Sequence, residues 1–81
     1  MSRIIDESKK ANIIGERIKE ARIKAGFSQE DLSSKLETLA IYVCRGSISR
    51  IENRVRTITD IEIEGMVKIL NVSLDYLFGR S

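Results

Sequence analysis

Apolar residues recur every three or four positions along most of the chain, which is the spacing of one face of an α-helix. The clearest case is a stripe of four residues in the first third of the sequence: Ile14, Ile18, Ala21 and Ala25. Asn12, which precedes this stripe, has a short polar side chain suited to an N-cap, and Gly26, which follows it, can take the left-handed conformation that ends helices. A first helix is therefore expected from Asn12 to about Ala25.

A cap residue indicates the second helix, and an apolar edge indicates the third. Ser28 and the acidic residues after it are typical of the first turn of a helix. The inward-facing residues of this helix are expected to be Leu32, Leu36 and Leu39. Ile48 and Ile51 predict a short third helix from Arg45 to Asn53, with one buried edge and basic exposed positions. The run Leu-Ala-Ile-Tyr-Val at 39–43 has strand-like composition but no partner strand in the sequence, so we expect a packed connection there.

Cap patterns also mark the fourth and fifth helices. Thr59 and Glu62 have the spacing of a capping box, and Asn71 can end that helix in the left-handed region. Ser73 then opens a short fifth helix that Gly79 closes. The apolar residues of these two helices are Ile63, Met66, Val67 and Leu70, followed by Leu74, Tyr76, Leu77 and Phe78. Because the sequence contains no proline and its helical spacing is almost continuous, an all-α domain is expected.

Length and composition favour one small soluble domain. A chain of 81 residues with 42% hydrophobic content has room for a single domain. It contains no apolar run near the ~20 residues of a membrane span. The amino-terminal stretch lacks the apolar segment of a signal peptide, so residues 1–12 are expected to form a polar arm and residues 13–81 the folded domain, in the cytoplasm. The single Cys44 cannot form an internal disulfide, which agrees with a reducing compartment.

Residue content gives little support for enzymatic chemistry. The sequence has no histidine, no zinc-ligand cluster and no GxxxxGK[ST] phosphate loop, so neither catalysis nor a cofactor is expected. The distribution of charge is more informative, because the net charge is only +2 but residues 45–56 hold four arginines against one glutamate. Such a segment is either a solvated face or an electrostatic footprint for phosphate, and composition leaves both interpretations open.

Four short stretches carry a resemblance to a known family. They are IGERIKEAR at 14–22, AGFSQEDLSSKL at 25–36, SISRIEN at 47–53 and LNVSLDYLFG at 70–79. Their order and the helix caps within them resemble the phage-repressor or xenobiotic-response-element (XRE) type of helix-turn-helix domain. The resemblance covers roughly 14–79 and implies a five-helix, lambda-repressor-like all-α fold. In that fold the second helix crosses the DNA backbone and the third lies in the major groove.

The resemblance also assigns residues to DNA. Arg45 and Arg50 match positions that read bases, where an arginine fork fits guanine O6 and N7, and simple phosphate contact is the alternative. Gly46, where a base-contacting side chain is usual, would allow the backbone to approach DNA closely. Gln29 matches a phosphate-binding position at the start of the second helix, or is an ordinary exposed residue. Further contacts on and beside the third helix are assigned to Ser47, Ser49, Asn53, Arg54 and Arg56. Solvated charge is the alternative for the last two.

Three more expectations follow from comparison with the family pattern. Arg22 and Glu52 match positions that form an ion pair between the first and third helices. The chain from Leu36 to Ile48 is four residues longer than usual, which predicts an extended second helix or an added half-turn. The connection is expected to place three residues in the core: Leu39, Ile41 and Val43. Cys44 replaces the usual Ser or Thr N-cap. It would be a redox sensor or a buried packing residue, and the lack of a resolving cysteine favours the buried residue.

The function expected from these features is sequence-specific binding of double-stranded DNA by a small transcriptional regulator. A repressor that binds a pseudo-palindromic operator as a homodimer is favoured, because one such helix contacts few bases. The apolar residues near the carboxyl end would form the dimer surface or lie in the core: Ile61, Ile69, Leu74, Tyr76 and Phe78. The alternative is a protein-interaction module that keeps the fold, although the arginine-rich segment argues against it. No small-molecule effector is evident from the sequence.

Overall fold

The computed structural model describes residues 10–80, and all regular secondary structure in that range is helical. The five helices are α1 (Gly15–Lys24), α2 (Gln29–Glu37), α3 (Arg45–Glu52), α4 (Asp60–Leu70) and α5 (Leu74–Leu77). Helices α3 and α4 each pack against α1 and α2, and α5 packs against α1. The expected five-helix, all-α fold is therefore confirmed. Across residues 10–80, every helix is too short or too polar to cross a membrane.

The apolar stripes of the helices meet in one core. Its buried residues are Ile14, Ile18, Ala21, Leu32, Leu36, Val43, Ile48, Ile51, Met66, Leu70 and Leu77. Ala25, the last member of the first stripe, is exposed, because α1 ends at Lys24 and the chain turns away at the C-cap. The apolar residues near the carboxyl end divide into two groups. Ile61 and Leu74 are exposed, whereas the other three, Ile69, Tyr76 and Phe78, pack partly against the core.

Hydrogen-bonded caps start and end most of the helices where the sequence predicted them. The side chains of Ser28 and Thr59 each accept a hydrogen bond from the backbone amide of the third helical residue, and the acidic side chain of that residue accepts one from the backbone amide of the cap residue. Asn71 ends α4 at φ 57°, in the left-handed region. The first helix differs from the prediction, because it begins at Gly15 rather than directly after Asn12. The N-cap residue is Ile14 rather than the predicted Asn12, but Asn12 Oδ1 accepts hydrogen bonds from the Ile14 and Gly15 amides.

The connection between α2 and α3 has two parts, a hydrogen-bonded turn and a segment, 41–44, without regular secondary structure. Residues 38–40 continue α2 as a turn that ends at Ala40 with φ 61°, and the Ile41 amide donates to the Leu36 carbonyl at 3.1 Å. This is the bonding pattern of a Schellman C-cap, so α2 itself ends at Glu37 and the extra residues begin as a hydrogen-bonded turn after it.

The three apolar residues of the connection do not all enter the core. Val43 is buried and Ile41 is half-buried, but Leu39 is 39% exposed. The prediction for Leu39 is wrong because the α-helical register ends at Glu37. Leu39 is therefore not carried onto the stripe formed by Leu32 and Leu36.

Candidate nucleic-acid interface

Helix α3 has one face fixed in the core and the opposite face open to solvent. Ile48 and Ile51 are fully buried, whereas Arg45, Gly46 and Arg50 are exposed. The Arg50 guanidinium lies over Gly46, since a Cβ built on that glycine would stand 3.8 Å from Arg50 Nη1. Residues four apart share one helix face, so the arginine reaches back toward the amino-terminal end of α3. The structure thus places both predicted base-reading arginines on one exposed surface, and Gly46 between them carries no side chain.

A buried ion pair joins α1 to α3. Arg22 Nε lies 2.7 Å from Glu52 Oε2, and Arg22 Nη2 donates to Oε1 at 3.1 Å. The two side chains are only 10% and 2% exposed, and Arg22 Nη1 also donates to the Phe27 carbonyl. The contact expected between Arg22 and Glu52 is therefore present, with a paired geometry that fixes how α3 sits on α1.

Gln29 also bonds to Glu52, a contact that the sequence did not indicate. Its Nε2 donates to Glu52 Oε1 at 3.0 Å. Because an ionised carboxylate only accepts hydrogen bonds, the amide nitrogen must face Glu52. The same nitrogen carries a second hydrogen, which remains available to another acceptor. Gln29 is thereby held at the start of α2, beside the carboxyl-terminal end of α3.

Asn12 has a wider structural role than the sequence pattern indicated. Besides accepting from the Ile14 and Gly15 amides, it donates from Nδ2 to the Ile51 carbonyl at 3.1 Å and to the Arg56 carbonyl at 2.9 Å. The residue is 9% exposed, and the neighbouring Ala11 amide donates to the Arg54 carbonyl. Asn12 therefore ties the start of α1 to the end of α3 and to the loop that follows it. The cap pattern could identify this residue but not partners about forty positions away.

The two arginines after α3 have partners within the chain. Arg54 adopts φ 65° and its Nε donates to the Asn12 carbonyl at 2.8 Å. Arg56 forms two hydrogen bonds of 3.1 Å with the Glu62 carboxylate at the start of α4. These bonds lower the pKa of Glu62 and raise that of Arg56. Both arginines are half-buried rather than solvated, whereas Asn53 is exposed beside them. Their contacts with DNA remain predictions.

Cys44 occupies a different environment from the one predicted. It is exposed, so the expectation of a buried packing residue is wrong. The physical reason is its place as the N-cap of α3, at the outer end of the helix, while the preceding Val43 fills the core. Its Sγ lies 3.5 Å from Ser47 Oγ, and hydrogen bonding with that hydroxyl lowers the pKa of the thiol below its ordinary value. Within residues 10–80, acidic and cysteine side chains form no group able to hold a metal ion.

Comparison with known proteins agrees with this arrangement. The family model described as helix-turn-helix matches residues 18–77, which include all of α2, α3 and α4. The chain is also 33% identical, over 67 residues, to the HTH-type transcriptional regulator ImmR of Bacillus subtilis (strain 168). That match covers 83% of this chain and 49% of ImmR, so the chain spans about half the length of this relative. No solved structure gives a significant match. The extent of the family match shows that the chain belongs to the helix-turn-helix family.

Proposed function

We propose that the chain is a sequence-specific DNA-binding transcriptional regulator whose α3 enters the major groove of double-stranded DNA. The observation that carries this proposal is the two-sided character of α3. Ile48, Ile51 and Glu52 hold one side in place, and the other side presents two exposed arginines. An arginine on a rigid helix can form the paired hydrogen bonds that distinguish guanine from other bases. The related ImmR is a transcriptional regulator, which supports this role.

The proposed contacts divide into base reading and backbone binding. Arg45 and Arg50 read base edges, and Gly46 lets the α3 backbone come close to them. Gln29 binds a phosphate oxygen with the amide hydrogen that Glu52 does not take. Smaller contributions to backbone binding are proposed for Ser47, Ser49, Asn53, Arg54 and Arg56. Because Arg56 is paired with Glu62, its replacement would also disturb the start of α4, so it is a poor probe of DNA contact.

Replacing Arg45 or Arg50 with Ala is expected to weaken binding to the preferred duplex by about 1 to 3 kcal/mol and to relax base preference at particular positions. Binding to random duplexes should change much less, because the lost contacts are to bases. The preferred duplex is first obtained by selection from random DNA. Competition binding against preferred and random duplexes, at several salt concentrations, then measures both effects.

Two further variants serve as controls for this experiment. Arg80→Ala removes the same charge from an exposed arginine beyond α5 and should leave base preference unchanged. Gln29→Ala removes a neutral hydrogen-bond donor and should weaken binding to preferred and random duplexes alike. The assignment of α3 as the reading helix fails if Arg45→Ala and Arg50→Ala each weaken binding to the preferred and the random duplex by the same factor.

We also propose that the protein acts as a homodimeric repressor that excludes other proteins from its operator. Two base-reading side chains of one α3 contact few base pairs, so useful specificity requires two copies on a pseudo-palindrome. The surface proposed for the second copy is an open groove of about 510 Å³ between α4 and α5. Its apolar walls are formed by Ile63, Val67, Leu74 and Phe78. At its edge Glu64 and Lys68 form an ion pair of 3.8 Å within one chain, and a two-fold axis would let each also face the opposite charge of the second copy.

Leu74→Glu is expected to raise the dimer dissociation constant at least ~10-fold, because it would bury a charge in the proposed apolar contact. Leu74 is 53% exposed in the single chain, so the replacement should leave the fold intact. Ile23→Glu, at a 58% exposed position of α1 outside the groove, is the matched control. Sedimentation of the free protein and of its operator complex measures the outcome. A wild-type complex with one chain per operator would contradict the homodimer.

A further inference from the structure

The connection between α2 and α3 presents one aromatic side chain to solvent. Tyr42 is 76% exposed, and it stands two residues before Cys44, the N-cap of α3. Its neighbours fix the backbone on both sides, since Ile41 is half-buried against the core and Val43 is buried. Burial alternates along this segment, with Ile41 and Val43 toward the core and Tyr42 toward solvent, which is the pattern that an extended backbone produces. Its outward position is thus imposed by the packing of the connection.

This side chain lies beside the proposed DNA-reading end of α3. At about 3.3 Å per residue of extended chain, Tyr42 is within roughly 7 Å of Cys44 along the backbone and one further residue from Arg45. Base reading by Arg45 would bring the amino-terminal end of α3 to the floor of the groove. The residues that lead into that end must then pass close to the wall of the groove.

The charges around Tyr42 indicate which kind of DNA contact it can make. The segment from Glu37 to Cys44 contains no cation, and Tyr42 shares a shallow groove of about 210 Å³ with Ser33 and Glu37. The carboxylate of Glu37 repels a phosphate at this position. An exposed ring favours apolar contact instead, and deoxyribose carbons and the thymine methyl group provide it.

We propose that Tyr42 is a further DNA-contacting residue, whose ring packs against sugar and base edges next to the base pair read by Arg45. This inference rests on the proposed function. It gives the lengthened connection a role in DNA binding that differs from that of the α3 arginines. The arginines donate charged hydrogen bonds, whereas the Tyr42 contact is apolar and depends on the shape of the groove wall.

Tyrosine fluorescence tests the contact directly, because the sequence has two tyrosines and no tryptophan. Tyr76→Phe leaves Tyr42 as the only emitter. Tyr42→Phe leaves Tyr76, which lies on α5 and donates from its hydroxyl to Glu20 of α1. With the preferred duplex, emission from the first variant should fall by roughly half or more after correction for DNA absorbance, as expected for a ring in contact with base edges. Emission from the second variant should stay unchanged.

Affinity measurements separate the contribution of the Tyr42 ring to DNA binding from that of its hydroxyl group. Tyr42→Ala should weaken binding to the preferred duplex by roughly five- to tenfold, with an unchanged dependence on salt. Tyr42→Phe should bind within about twofold of wild type. The proposal is overturned if Tyr42→Ala binds as well as wild type, if Tyr42→Phe binds as weakly as Tyr42→Ala, or if Tyr42 emission does not respond. If the wild-type protein binds no duplex, the proposed function itself fails, which is a separate outcome.

Discussion

Replacing Glu52 with Met is expected to lower the free energy of unfolding by about 3 to 5 kcal/mol, which is a large part of the stability of a small domain. The reason is that Arg22 would keep its charge while its side chain stays 10% exposed in the folded protein. Gln29 would also lose its acceptor. Urea denaturation followed by far-ultraviolet circular dichroism measures the change.

The paired replacement distinguishes loss of a partner from loss of the ion pair as such. Arg22→Met alone should also destabilise, because it leaves Glu52 buried with its charge and removes a donor from the Phe27 carbonyl. The double variant, with Met at both positions, should recover most of the loss, since no unpaired charge remains in the interior. If the two single losses simply add in the double variant, the proposed cause is wrong.

Replacing Gly15 with Ala is expected to lower the free energy of unfolding by about 2 to 3 kcal/mol, although alanine is normally the better helix residue by about 1 kcal/mol. A Cβ at position 15 would overlap the backbone carbonyl oxygen of Ile51, and it would lie 3.1 Å from both Arg54 Cγ and Asn12 Oδ1. A backbone oxygen cannot rotate away as the end of a side chain can. The start of α1 would therefore have to move away from the end of α3.

Gly46→Ala is the matched control, because it makes the same change within α3. There a Cβ meets nothing nearer than Arg50 Nη1 at 3.8 Å, so the variant should be more stable than wild type by up to about 1 kcal/mol. Under the proposed function it should also bind DNA less well, since the added methyl group faces the bases. Equal stability changes at positions 15 and 46 would show that the contact with Ile51 does not matter.

The parts of the structure that follow from nearby residues were predictable from the sequence. The capping boxes at Ser28 and Thr59 and the left-handed end at Asn71 depend on residues within one turn, and all three are confirmed. The apolar stripes of the helices were predictable for the same reason, because helix geometry alone decides which residues share a face. The Arg22–Glu52 pair came from the family pattern, since no local rule connects residues thirty positions apart.

Features that depend on how helices dock were predicted less well. Cys44 is exposed because of where the lengthened connection places the start of α3. Neither the composition nor the length of the connection specifies that position. Arg56 pairs with Glu62 because the loop after α3 meets the start of α4. Asn12 bonds to the end of α3 because the segment before α1 packs there. Charge counting treated both arginines after α3 as surface groups, because their partners lie on other elements of the fold.

Under the proposed function, the bond from Gln29 to Glu52 has a consequence for the thermodynamics of DNA binding. A free glutamine side chain loses about 1.5 to 2 kcal/mol of rotational entropy when it is immobilised. In this protein the amide is already held at 3.0 Å from a carboxylate that is itself fixed by Arg22. That ordering takes place when the chain folds, so a phosphate reaching Gln29 meets a preorganised donor. Calorimetry of operator binding should then show a smaller entropic penalty for this contact than for a freely rotating side chain.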